Sequence, residues 1–332
     1  MDYEAGQAKG KMMFPKAYAA GLTMLGGKDI VVTHLGHAVR AHLWPATKRG
    51  QSTKARPQKL VIILPGFTEF CEKYAAEAER FHQQGASVLI IDWPGQGRSG
   101  HLGSDPLAVH CTDFVHYLDA LDLVIAAAGF TACHMTLFGH SMGGHLALRY
   151  AMRHKTLVTA VILSAPMMAP PVMPVWLVRL ATTLLCWFGL QRVSPPLHRP
   201  QPLEAVRHYH PHNVLTRDVH GYEQQFLWFD DVPALRRSGP TIGWVRAAYR
   251  STAHCTLNVD WLRKIDTPVL ALIAGDEKVV HPASSTTALR HLPQVQCQSF
   301  EGARHELTRE LPAVRRQVWQ HIDAFLKQKA GW

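Results

Sequence analysis

Gly139-His140-Ser141-Met142-Gly143-Gly144 sets a serine between glycines, directly after the apolar run His134-Met135-Thr136-Leu137-Phe138 and directly before a helical pattern. In that setting G-x-S-x-G is a nucleophile elbow: the chain turns from strand to helix so sharply that side chains at Gly139 and Gly143 would collide with backbone. Ser141 Oγ then stands above the strand ends, and the helix N-terminus beneath it favours developing negative charge. A serine needs a base, and the base an orienting acid, in the chain order Ser, Asp or Glu, His. Asp276 follows the apolar run Val269-Leu270-Ala271-Leu272-Ile273-Ala274-Gly275, and His305 lies in Gly302-Ala303-Arg304-His305-Glu306. Singly, Asp276 reads as a turn former and His305 as one histidine among 21. In this order, each after a strand, they read as the acid and base of a Ser141–Asp276–His305 triad. The oxyanion of the attacked carbonyl is expected on the N–H of Met142, the residue after the nucleophile, and on that of Phe67 in Pro65-Gly66-Phe67-Thr68-Glu69, where Gly66 allows close approach.

Other residues compete for these roles. His140 adjoins the serine within the elbow and is poorly placed to reach Oγ; His281, in Val280-His281-Pro282, reads as shaping the mouth of the site. The loop Asp92-Trp93-Pro94-Gly95-Gln96-Gly97-Arg98-Ser99 is glycine-rich but lacks G-x-G-x-x-G and opens no helix, so no dinucleotide cofactor is expected. No metal is expected either.

The elements that must position these groups alternate. Ile30-Val31-Val32 and His37 to Trp44 read as two strands around a Gly36 turn, followed by a polar, basic loop from Thr47 to Gln58. Lys59 to Leu64 and Ala86 to Ile91 read as continuous apolar runs, as strands covered on both faces require. Helical spacing marks Cys71 to Gln84, Phe114 to Gly129 and Gly143 to His154; strands are expected at Val158 to Leu163, Pro268 to Ala274 and Val295 to Phe300, with a final helix burying Val314, Val318, Ile322 and Phe325. Strand–helix alternation implies right-handed crossovers and a mostly parallel sheet with helices on both faces. The stretch 167–255, rich in Pro, Trp and His, breaks the rhythm. It reads as a helical cap inserted between two parts of one core, 1–166 and 256–332.

The 332 residues are 47% hydrophobic and 18% charged, which excludes a disordered or fibrous chain. The excess of 35 Lys and Arg over 25 Asp and Glu, thickened at Lys48, Arg49, Lys54, Arg56 and Lys59, attracts polyanions. With no basic helix, zinc-ligand spacing or aromatic RNA-binding signature, an anionic lipid surface is favoured over nucleic acid. Six scattered cysteines without C-x-x-C, and an acidic start Met1-Asp2-Tyr3-Glu4, point to unpaired thiols and a cytoplasmic setting. Val172 to Leu190 is apolar but carries Pro174 and Arg179, and reads as a buried or interfacial helix rather than a span.

Gly66-Phe67-Thr68-Glu69 with Tyr74, Asp92 to Ser99, Gly139 to Gly144, Gly275-Asp276 and Arg304-His305-Glu306-Leu307 together resemble the α/β-hydrolases of the monoacylglycerol lipase and bacterial lysophospholipase group. Within the cap, Asn213-Val214-Leu215-Thr216 and Gly239 to Val245 are similar to the lysophospholipase branch. Pro65 departs from the His that many relatives carry before the oxyanion glycine. The resemblance implies an α/β-hydrolase fold and a cofactor-free serine ester hydrolase acting on monoacyl lipids, a lysophospholipase first. A short-chain esterase or a peptidase of the same fold is the alternative, and a non-catalytic scaffold the remote one. The apolar cap residues Met167, Met168, Met173, Trp176, Leu177, Leu180, Leu184, Trp187 and Phe188 would line an acyl path or rest on a bilayer.

Overall fold

The computed structural model describes residues 27–46, 59–131, 133–172, 174–195 and 202–332. The basic loop 47–58, the acidic N-terminus and Met173 lie outside the described residues. β1 (Lys28–His34) and β2 (His37–Trp44) form a hairpin; β3 (Leu60–Leu64), α1 (Ala75–Gln83), β4 (Ser87–Ile91), a two-residue β5 (Ala108–Val109), α2 (Val115–Ala127), β6 (Met135–His140), α3 (Met142–Arg153) and β7 (Val158–Ser164) follow. Next come α4 (Val175–Trp187), α5 (Leu203–Arg207), α6 (Val219–Asp231), a two-residue β8 (Gly239–Pro240), α7 (Ile242–His254) and α8 (Val259–Leu262), before β9 (Val269–Ala274), α9 (Pro282–Leu289), β10 (Val295–Phe300) and α10 (Pro312–Lys329).

Eight strands make one sheet in the order β1-β2-β4-β3-β6-β7-β9-β10, parallel from β4 to β10 and antiparallel at β1–β2 and β2–β4. Because side chains alternate across a strand, a strand buried on both faces must be apolar at every position. β3 shows this directly: Leu60, Ile62 and Leu64 join the core beneath α2 and α3, while Val61 and Ile63 join the core beneath α1 and α10. β1 and β10 are the edges, and β10 is polar and largely exposed until Phe300, as an unpaired edge requires. Among the described residues between β7 and β9 the main sheet receives no strand; β8 pairs instead with β5. The apolar residues expected of that segment divide: Met167 and Met168 are buried in the core, whereas the outer face of α4 is exposed, with Trp176 at 65%, Trp187 at 78% and Phe188 at 71%. Among the described residues no helix is long and apolar enough to cross a membrane.

Phe81, fully buried on α1, stacks edge-on against Phe138 and Trp319 and so joins the helical layer to the sheet. Truncating such a ring removes its transfer free energy and leaves a cavity. Phe81→Ala is expected to lower unfolding free energy by about 3–5 kcal/mol in urea denaturation, with little change in slope.

Candidate active site

The elbow is built by contact at its two glycines. A Cβ on Gly143 would lie 1.9 Å from the Leu64 carbonyl oxygen, and one on Gly139 would lie 2.5 Å from the Gly143 oxygen. With the chain pressed this close, Ser141 takes φ 52° and ψ −118°, a region costing about 1–3 kcal/mol for a non-glycine residue. The Ser164 carbonyl at the end of β7 holds the turn, accepting from Ser141 N at 3.0 Å and from His140 Nδ1 at 3.0 Å. Thr68 and Ala165 also have positive φ. Strained backbone therefore gathers past the carboxyl ends of β3, β6 and β7, where parallel sheets place their functional groups.

Ser141, His305 and Phe67 line one cavity of about 190 Å³, together with Gly66, Glu69, Lys73, His140, Leu215, Gln225 and Glu306. Met142 opens α3, so its N–H is among those a helix leaves without an internal acceptor. Among the described residues the Phe67 N–H has no protein acceptor either. The loop carrying Phe67 is braced on both sides: Trp93 Nε1 donates to the Pro65 oxygen at 2.8 Å, and Thr68 N donates to Gln96 Oε1. This is the work of the glycine-rich loop after β4. Asp92 within it accepts from Cys71 N at 2.7 Å and Arg98 N at 2.9 Å, and a Cβ on Gly97 would fall 2.4 Å from its carboxyl carbon.

The carboxylate bonded to His305 is not the Asp276 that the sequence reading expected. Asp276 points outward, 38% exposed, to Lys278 at 2.9 Å and Arg304 at 3.8 Å, and makes no bond to His305. The next residue, Glu277, turns its side chain inward, 5% exposed, and accepts from His305 Nδ1 at 2.7 Å. Burial alone would raise the Glu277 pKa, but the His305 hydrogen bond and charge, with the N–H groups of Val279 and Val280 at 2.7 and 3.2 Å, bring it below the ordinary value. It therefore stays a carboxylate at neutral pH. Gly275-Asp276-Glu277 offers two carboxylates, and the Ser, Asp or Glu, His order admits either, so the signal lay one residue on.

His140 is buried and its pKa is driven down to about 4, chiefly by desolvation, so it is neutral; its Nδ1 is committed to Ser164. His281 caps α9, accepting from Ser284 N at 3.2 Å. A second group of residues was given no role by sequence reasoning: Lys73 Nζ lies 2.8 Å from Glu69 Oε1 and 2.7 Å from Glu306 Oε1, all three buried beside the cavity. Burial opposes their charges, yet mutual attraction wins, lowering both carboxylates and raising the lysine. The segment Asn213 to Thr216, expected within the cap, is bonded here. Asn213 Oδ1 accepts from Leu215 and Thr216 N, Leu215 O accepts from Glu306 N at 2.8 Å, and Thr216 Oγ1 donates to Arg309 O at 2.9 Å. Among the described residues no group of three His, Cys, Asp or Glu side chains could hold a metal ion.

With Nδ1 bound to Glu277, Nε2 is the His305 nitrogen left to take a proton, beside a strained serine and two backbone donors. Such an arrangement can perform acyl transfer. Sheet order, elbow and histidine loop together define an α/β-hydrolase. The chain belongs to the family described as "Serine aminopeptidase, S33", which matches residues 55–312. It is 31% identical to lysophospholipase L2 of Escherichia coli strain K12 over 238 residues, covering 67% of this chain and 64% of that protein's length. It is 27% identical to the probable lysophospholipase L2 of Haemophilus influenzae over 279 residues, 81% of this chain and 84% of the relative. A monoglyceride lipase from Saccharomyces cerevisiae shares the fold at a TM-score of 0.66 and 20% identity, over 91% of this chain and 96% of that one.

Removing the orienting carboxylate should misplace and destabilise the imidazolium. Glu277→Ala is expected to lower kcat by about 10³–10⁴-fold in ester hydrolysis. Asp276→Asn should stay within about threefold of wild type, as an exposed surface change. The reverse ranking would return the acid to Asp276.

Proposed function

We propose that this chain is a serine carboxyl-ester hydrolase releasing fatty acid from monoacyl lipids, with lysophospholipids the first substrate class. Ser141 Oγ attacks the acyl carbonyl as His305 Nε2 takes its proton, Glu277 steadies the imidazolium, and the oxyanion rests on the Phe67 and Met142 N–H groups. His305 then protonates the leaving alcohol, and water activated by the same imidazole frees the fatty acid. The observation that carries the lipid reading is the exposed aromatic and leucine face of α4 in residues 167–255, the segment we assign as the cap. A single chain in water gains nothing by presenting Trp176, Leu180, Leu184, Trp187 and Phe188 to solvent, whereas a bilayer surface covers them. We place the protein at an anionic inner membrane face, held by this helix and the net charge of +10.

The named lysophospholipase relatives support the same substrate class. A peptidase of this fold needs a carboxylate free to receive a substrate ammonium; Glu69 and Glu306, which line the cavity, are both bound to Lys73. A short-chain esterase has no use for the α4 face.

The decisive assay is fatty-acid release from lysophosphatidylcholine, lysophosphatidylethanolamine, monoacylglycerol and a short p-nitrophenyl ester, by wild type and Ser141→Ala in parallel. Lysophospholipid turnover lost in the variant is expected; turnover of the short ester alone would discard the lipid assignment. On anionic vesicles, Trp187→Ser is expected to weaken binding about tenfold, near 1.4 kcal/mol. Raising salt should weaken binding further, and unchanged partitioning between low and high salt would remove the electrostatic part.

A further inference from the structure

Resting on the hydrolase reading above, we infer that Lys73 is a positioning residue that clamps the two halves of the site, its ammonium bonding at once to the oxyanion loop through Glu69 and to the base loop through Glu306. Glu69 belongs to the loop that carries Phe67, and its other oxygen, Oε2, accepts from Gly66 N at 2.5 Å and from the Tyr74 hydroxyl. Glu306 adjoins His305 in sequence. One buried cation therefore fixes the distance between the N–H donors and the imidazole. Among the described residues no other cation bonds to both carboxylates: the charge of Arg309 also acts on Glu69 and Glu306, but its side chain lies 4.0 Å from Glu306 Oε2 and is held by Glu77 at 3.1 Å and by the Lys73 carbonyl, His140 is neutral and 4.0 Å from Glu69 Oε1, and Gln225 Oε1 meets Lys73 Nζ only at 3.4 Å.

Deleting the ammonium leaves two carboxylates facing one buried point. Carboxylates so placed cannot both stay ionised, so one takes up a proton near neutrality or the loops part. The loss is thus electrostatic and pH-dependent, and it is relieved by removing the second charge. A lysine serving only as packing predicts the opposite, since a second substitution then adds damage.

The experiment compares wild type, Lys73→Met, and Lys73→Met combined with Glu306→Gln, by the rate at which a fluorophosphonate labels Ser141 between pH 6 and 8. We expect Lys73→Met to label at least tenfold more slowly at pH 8, the deficit to shrink toward pH 6, and the double variant to recover to within threefold of wild type at all pH values. A single variant within twofold of wild type, or a double variant no faster than the single, overturns the clamp. Where a melting curve shows that Lys73→Met does not fold, Glu306→Gln alone tests the other arm: labelling slowed threefold or more supports the clamp and a wild-type rate overturns it. Lysolipid hydrolysis is read separately. Its absence in wild type with Ser141 labelling intact removes the substrate reading and leaves the clamp to the labelling comparison; a wild-type Ser141 that does not label overturns both.

Discussion

The contact between Gly143 and the Leu64 carbonyl sets the geometry on which the rest depends. Only a residue without a Cβ lets α3 press its first turn against the end of β3, and that pressure forces Ser141 into its positive-φ turn. The same contact brings the loop that leaves β3 after Leu64, with Phe67 three residues on, alongside the first N–H of α3. Nucleophile and oxyanion donors are thus placed by one backbone-on-backbone approach rather than by two separate arrangements of side chains. Strain at Ser141 is sustained because its surroundings are over-determined: continuous apolar strands on both sides, the Ser164 carbonyl behind it and the Trp93 and Gln96 braces beside it.

Around this backbone frame the polar groups are ordered by burial. His140 and His305 lie with ring centroids 4.8 Å apart, yet they differ in partner: one is bonded to a neutral carbonyl, the other to a carboxylate. Burial disfavours the charged form of His140 more than Glu69, 4.0 Å from its Nε2, favours it, so that ring stays neutral. At Nδ1 only His305 is held by a carboxylate, which fixes its orientation.

Much of this was legible in the residues alone. Strands covered on both faces have an unmistakable signature, and the runs at Lys59 to Leu64 and Val158 to Leu163 reappear within a residue of their expected limits, as does the edge strand Val295 to Phe300. The elbow was legible because its steric requirement is local and permits only glycine. What escaped was what depends on the direction of a side chain. Asp276 and Glu277 are neighbours of the same charge, and nothing in their order tells which faces His305. Lys73, Glu69 and Glu306 were equally hidden: their bond joins residues 233 positions apart, and a buried triple of charges reads in sequence like any polar surface. Asp92 to Ser99 was read for what it is not, since a loop whose work is to brace its neighbour carries no ligand signature. The exposed face of α4 was undecidable because apolar helical spacing is the same for a helix turned inward or outward.

The bonds from Leu215, Thr216 and Arg217 to Glu306, Arg309 and Glu310 join residues about ninety positions apart, across β9, α9 and β10. Arg304 adds bonds to the Pro211 and Thr216 carbonyls over the same distance. During synthesis the segment 211–217 emerges with only its local bonds, and its bonds to residues 304–310 wait until the following ninety residues have been made. The attachment of this segment to the loop of His305 therefore cannot form on a half-made chain: it waits for residues as late as Glu310.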